Sequence, residues 1–277
     1  MQAVNQTISK ITFGGRGSKA GRFSGLNNAA VSPSNEIFVA DTLNRTVQVF
    51  NMEGAYLRKF PTVVSGEGSE AMDPLDISID GEGHLWVIGE TDTSEIIVSY
   101  TKKGRHIITI HPSSPNITFH DIAVDKLRNY VTITTAEQEV SGAGDVTVLL
   151  YNGTVVRKIE TPQWWPNFIA VDKNGRYLVT DMYKTDLVYI YSETGQYQLS
   201  LGGKGRILMP VGIYVDSSGN ILVADEYDSS VEMFTDSGEH VRRVEPGVMF
   251  TGMALAPGGQ LVLVNQMYSN VTILSRY

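Results

Sequence analysis

Residues 209–238 read MPVGIYVDSSGNILVADEYDSSVEMFTDSG, and this stretch decides the fold. After Pro210 comes an apolar run, GIYVD (212–216), then Ser217-Ser218-Gly219, then a second run, ILVAD (221–225). Short Val- and Ile-rich runs, separated by small polar residues and a glycine that tolerates positive φ, predict a tight β-hairpin. A loop leads to SVEMF (230–234), Asp236-Ser237-Gly238 turns the chain again, and HVRRV (240–244) supplies a fourth strand. Four short antiparallel strands joined by hairpins make one blade of a β-propeller.

Working outward, the same unit recurs along the chain. Aligned on the residue that closes the second strand, copies fall at Asp41, Glu90, Thr135, Asp181, Asp225 and Asn265. Six residues beyond the anchor an aliphatic residue opens the third strand: Val47, Ile96, Leu187, Val231 and Val271. The third copy breaks this register, because EQEVSGAGD (137–145) reads as an extended loop before VTVLLY (146–151). Self-similarity at this period is the signature of a repeat architecture. The sixth copy runs out after three strands, while TISKITF (7–13) is an orphan strand ahead of the first copy. The chain is therefore expected to be all-β: a single six-bladed propeller over 1–277, with residues 7–13 completing blade six. The expected blades are 26–60, 74–110, 117–159, 165–201, 209–244 and 248–277. Such a closure removes the open sheet edges on which an incomplete blade would aggregate.

Composition narrows the function. Hydrophobic residues make up 42% and charged residues 19%, as in a globular protein, and the apolar runs are too short to span a membrane. The chain has no cysteine, which rules out disulfides and thiolate metal sites. No basic start and apolar core mark a signal peptide, so the sequence reads as a cytoplasmic, monomeric propeller with no membrane association. Sequons occur at Asn5, Asn44, Asn116, Asn152 and Asn270, as expected of any β-rich chain full of Asn and Thr. The net charge of −8 lacks the basic footprint of a nucleic-acid-binding protein.

IFVADTLNRTVQVFNMEGAYLRKF (37–60), FIAVDKNGRYLVTDMYKTDLVYIYSETG (168–195) and residues 211–239 resemble the NHL repeat. FGGRGSKAGRF (13–23) and SLGGKGRILMP (200–210) are similar to that family's lead-in to a blade, and Asn44-Arg45 stands where the family carries Asn-His. The closing Ser-Arg-Tyr resembles the end of the C-terminal propeller of TRIM-type ubiquitin ligases. The resemblance implies a six-bladed propeller that recognises protein or RNA for a larger protein, whose RING, B-box and coiled-coil segments would do the ubiquitin chemistry.

In a four-stranded meander alternate loops lie on opposite faces. The loops between strands two and three share the upper face with the links between blades. Aromatic residues expected there are Phe119, Trp164, Trp165, Tyr183, Tyr227, Phe250 and Tyr268. Acidic ones include Asp73, Asp76, Glu90, Asp92, Asp121, Asp186, Glu226 and Asp228. Carboxylates mixed with exposed rings suit a basic polypeptide partner, with cation–π contact available, and disfavour RNA phosphates. Protein binding is thus placed on Phe119, Trp164, Trp165, Tyr183, Tyr227, Tyr268, Glu226 and Asp228. The alternative, an RNA-backbone patch, rests on Arg16, Lys19, Arg22 and Arg45 around blade one.

A third reading is catalytic. The column Asn28, Asp76, Asp121, Phe168, Gly212, Gly252 should line the central channel, and its first three members could hold a divalent cation, since oxygen ligands suit Ca²⁺. Lactonase-like six-bladed propellers bind a cation at the channel mouth in this way. Three ligands on one side of the ring is a thin set, and His120, the nearest imidazole, is expected to face away from the channel. Asp41, Asp181 and Asp225 repeat at one position and so read as structural carboxylates accepting backbone N–H bonds in the loop that follows. Asp80, Asp125, Asp172 and Asp216 read as turn residues of the first hairpin. No cofactor is expected, and no nucleophile–His–Asp order or phosphate loop is visible.

Overall fold

In a computed structural model describing residues 9–64, 70–112, 117–137, 144–161, 166–181, 185–203 and 205–275, the chain forms six four-stranded antiparallel sheets, the blades of a propeller. Blade five comprises Pro210–Val215, Ile221–Asp225, Ser230–Phe234 and His240–Val244. In blade six the strands Gly252–Leu255, Leu261–Asn265 and Asn270–Leu274 are completed by Lys10–Gly14 from the other end of the chain. Lys10 lies opposite Leu274 and Gly14 opposite Asn270. In blade three the second strand runs long, Tyr130–Glu137, and the third resumes at Gly144, two residues earlier than its sequence suggests.

Why second strands read as unbroken apolar runs follows from the packing. Six apolar clusters hold the ring together, each between adjacent blades. Along IFVAD (37–41) every residue is buried. Ile37 and Val39 face blade six, while Phe38 and Ala40 face blade two. A strand covered on both faces shows no polar alternation.

The first hairpins turn on carboxylates. Oδ1 of Asp80, Asp125, Asp172 and Asp216 accepts two backbone N–H bonds apiece within the turn that follows, for example from Ser218 and Asn220 at 2.9 and 2.8 Å. This is the Asx-type turn that fixes hairpin register.

Candidate functional site

The upper face is built on the residue that closes each second strand. Asp225 is fully buried. Its carboxylate accepts N–H bonds from Leu208 (2.8 Å), Met209 (3.1 Å) and Tyr227 (3.0 Å). Asp41 likewise accepts from Ser24 and Gly25, both at 3.0 Å, and from the side-chain amides of Asn44 and Gln48. In blade six Asn265 does the same work, donating to the Met249 carbonyl and accepting from the Tyr268 N–H, both at 2.9 Å. These side chains are structural, as expected, and they do more than serve the following loop. They tie it to the link that enters the blade, so two upper-face segments are pinned by one buried group.

Side chains projecting from these pinned loops are exposed. Tyr227 is 71% and Tyr268 58% accessible. Glu226 beside them is half-buried, and burial pushes its carboxyl pKa up. Asp228 is held by Arg243 at 2.8 Å. Two expected upper-face aromatics fall elsewhere: Phe119, 4% exposed, packs between blades two and three, and Phe250 is buried between blades five and six. Inner strands are crowded by both neighbouring blades, so a large apolar side chain at their start is taken into the core. Trp164, Trp165 and Tyr183 lie outside the described residues.

Arg16, Lys19 and Arg22 are exposed on the link into blade one. Arg45 is neutralised by Asp73 at 2.7 Å, with Asp92 at 3.9 Å. It therefore belongs to a surface ion-pair network, leaving three cations in the patch.

The channel column converges, although its oxygens are occupied. Asn28 donates its side-chain N–H to Asp76 Oδ1 at 2.7 Å, and Asp76 Oδ2 accepts the Ile122 N–H of blade three at 2.9 Å. Asp121 Oδ2 accepts the Ile169 N–H of blade four at 2.6 Å. Asp121 also bonds Asp76 directly; burial first, then the charge of Asp76, raises the Asp121 pKa well above the ordinary carboxyl range. Asp76 and Asp121 are both buried, which removes them from the acidic upper surface. The set is a string of inter-blade clasps across blades one to four. No group of three His, Cys, Asp or Glu residues is arranged to hold a metal among the described residues. Blades five and six use close approach instead. A Cβ at Gly252 would stand 3.1 Å from Asn28 Oδ1, and one at Gly212 3.4 Å from the Met253 Cβ.

Asn28, Asp76, Asp121 and Phe168 separate a lower channel cavity of ≈ 390 Å³ from an upper one of ≈ 250 Å³. His120 lines the upper cavity, contrary to its expected direction. The pairing register skips between Phe119 and Asp121, and this bulge re-aims the side chain. Burial lowers the His120 pKa to about 4, so the imidazole is neutral at pH 7.

Comparisons with known proteins agree with this architecture. Residues 208–234 match the model of the NHL repeat. Over 95% of its length the chain is 24% identical to the E3 ubiquitin-protein ligase TRIM32 of Homo sapiens, and equally to that of Mus musculus. It spans 43% of the length of these relatives. Among solved structures, a streptogramin B lyase superposes with TM-score 0.69 at 12% identity, covering 96% of this chain and 97% of the lyase. The calcium-binding protein regucalcin from Agrobacterium tumefaciens superposes with TM-score 0.67 at 17% identity, covering 95% of this chain and 94% of regucalcin. At these identities the two structures show likeness of fold alone.

Proposed function

We infer that this NHL-repeat propeller is a recognition domain that binds a protein partner through its upper face, and that it is the substrate-recruiting end of a TRIM-type ubiquitin ligase. One observation carries the reading: Tyr227 and Tyr268 stand exposed on loops held rigid by buried Asp225 and Asn265. Large rings on a preorganised backbone lose little entropy on binding and make the anchors that dominate interfaces. The likeness to TRIM32 supports the ligase context. The channel acids do not favour a catalytic role, because they are engaged with one another and with backbone N–H groups.

Affinity capture followed by mass spectrometry tests it, comparing the wild type with a Tyr227→Ala/Tyr268→Ala variant of equal thermal stability. The expected result is a defined set of proteins retained by the wild type and lost by the variant. An unchanged set overturns the reading. RNA binding is the second reading, favoured by exposed Arg16, Lys19 and Arg22, none of which is ion-paired with a described carboxylate. A gel shift with short single-stranded RNA at low salt, where counterion release gives the greatest affinity, decides it.

A further inference from the structure

Three consecutive blades present the same kind of side chain at the same place. Two residues beyond the strand-closing anchor stand Tyr227 in blade five, Met267 in blade six and Leu43 in blade one. Their exposures are 71%, 71% and 73%. The loops that carry them share one backbone geometry: four residues beyond the anchor, Ser229, Ser269 and Arg45 all adopt positive φ, between 51° and 53°. In blades two and three the equivalent residues are Asp92 and Glu137, which ends the apolar row on that side of blade one; the equivalent in blade four, Tyr183, lies outside the described residues. Large apolar side chains repeated at one exposed position of adjoining loops make a candidate interaction surface.

Charge gives the row a direction. The link carrying Arg16, Lys19 and Arg22 lies between blades six and one. The Gly15 N–H donates to the Ser269 carbonyl at 2.6 Å, and the Asn44 side chain reaches the Gly17 carbonyl at 3.4 Å. Cations therefore flank Leu43 and Met267. At the other end Glu226 adjoins Tyr227 with Asp186 nearby, and burial raises both carboxyl pKa values. Arg243 at that end is taken up by Asp228, with Glu232 and Glu245 close by, and Arg206 on the incoming link offsets part of the negative charge.

We propose that the row of Tyr227, Met267 and Leu43 seats a polypeptide segment that carries spaced apolar side chains, a basic residue at its blade-five end and acidic residues at its blade-one end. This rests on the protein-recognition reading and sharpens it, since acidic composition alone points to a uniformly basic partner. The occupant is a protein rather than a nucleic acid, because a phosphate backbone satisfies the cationic end but meets carboxylate at the other.

Selection of a random-peptide phage library on the immobilised propeller tests the proposal. The selected sequence is then synthesised and titrated against Arg16→Glu/Arg22→Glu, Glu226→Lys and Tyr227→Ala/Met267→Ala variants, all at exposed or half-exposed positions away from the core. The expected peptide has apolar residues between a basic and an acidic end, and loses about tenfold in affinity with each variant at low salt. Reversing its acidic end to lysine should restore binding to Arg16→Glu/Arg22→Glu. A peptide that needs Tyr227 and Met267 but has no charge order, and binds the charge variants equally, overturns the proposal while leaving protein recognition standing. An empty selection also overturns the proposal, and the capture experiment judges the broader reading separately. Binding of an RNA oligonucleotide lost with Arg16→Glu/Arg22→Glu, with no peptide selected, overturns both.

Discussion

Asp121 and Asp76 meet across the junction of blades two and three, inside the channel and away from solvent, and burial raises both carboxyl pKa values. Each carboxyl group also accepts a backbone N–H from the blade that follows its own. Two buried carboxylates in contact cannot both ionise freely, so the pair shares a proton, and the charge of Asp76 adds to burial in raising the Asp121 pKa.

Stability should depend on that proton. The Asp121 pKa is raised on folding, from about 3.9 in an unfolded chain. Its contribution is therefore complete below about pH 4 and is lost as pH rises through the raised folded-state value. Asp121→Asn keeps a donor and an acceptor but cannot titrate. Urea unfolding should find it equal to the wild type in acid and more stable in alkali, whereas Asp121→Ala should lose about 3 kcal/mol by leaving Ile169 N–H unbonded. A less stable Asp121→Asn in alkali would count against the shared proton.

Tyr227 and Asp225 are two residues apart and should behave oppositely. Tyr227→Ala, at an exposed position, should change stability by less than about 0.5 kcal/mol. Asp225→Ala removes the acceptor of three backbone N–H groups and should cost about 2 kcal/mol or more. Thermal denaturation of the pair separates a binding surface from the frame beneath it. Equal losses would show that the ring of Tyr227 is part of the frame.

Glu95 accepts the Phe119 N–H across the same junction. Its pKa is raised to about 7 by burial, with the charge of Glu90 adding and the hydrogen bond opposing. A raised carboxyl pKa stabilises fully below its unfolded value, about 4.3, and this contribution is lost as pH rises through about 7. Carboxyl-carbon NMR should show a Glu95 midpoint near 7, absent in Glu95→Gln; a midpoint near the unfolded value would refute the assignment.

Removal of residues 1–14 should uncover the outer edge of Asn270–Leu274 and take from the Phe50 ring its contact with Phe13 at 4.6 Å, leaving those with Phe23 and Tyr56. Open strand edges template association. Size-exclusion chromatography should show multimers and calorimetry a lower unfolding temperature, both reversed by adding a peptide spanning 9–15. A truncated chain that stays monomeric and equally stable would mean the closure contributes nothing.

Sequence carried the ring a long way because its signals are local and repeated. Apolar runs, turn aspartates and the strand-closing anchor each recur at a readable interval, and Lys10–Gly14 completes blade six where the missing fourth strand required it. The site was less legible. Whether Asp76 and Asp121 face solvent or each other depends on contacts between residues 45 apart in the chain. Phe119 packs into the core and His120 lines the upper cavity beside a register break between Phe119 and Asp121 that no residue type marks in the sequence. The row of Tyr227, Met267 and Leu43 stands at a fixed offset from the anchor, but a Met or Leu in a loop carries no sign in the sequence of whether it is exposed or buried.

The clasp of blade six has a mechanical side. Lys10 and Leu274 face each other at the same end of their paired strands. Tension between the two ends of the chain would load one residue pair at a time, running from Lys10–Leu274 toward Gly14–Asn270, like a zip rather than a shear joint. The ring can thus yield at this seam to a modest pull, and forced-extension traces should begin with the release of this single strand.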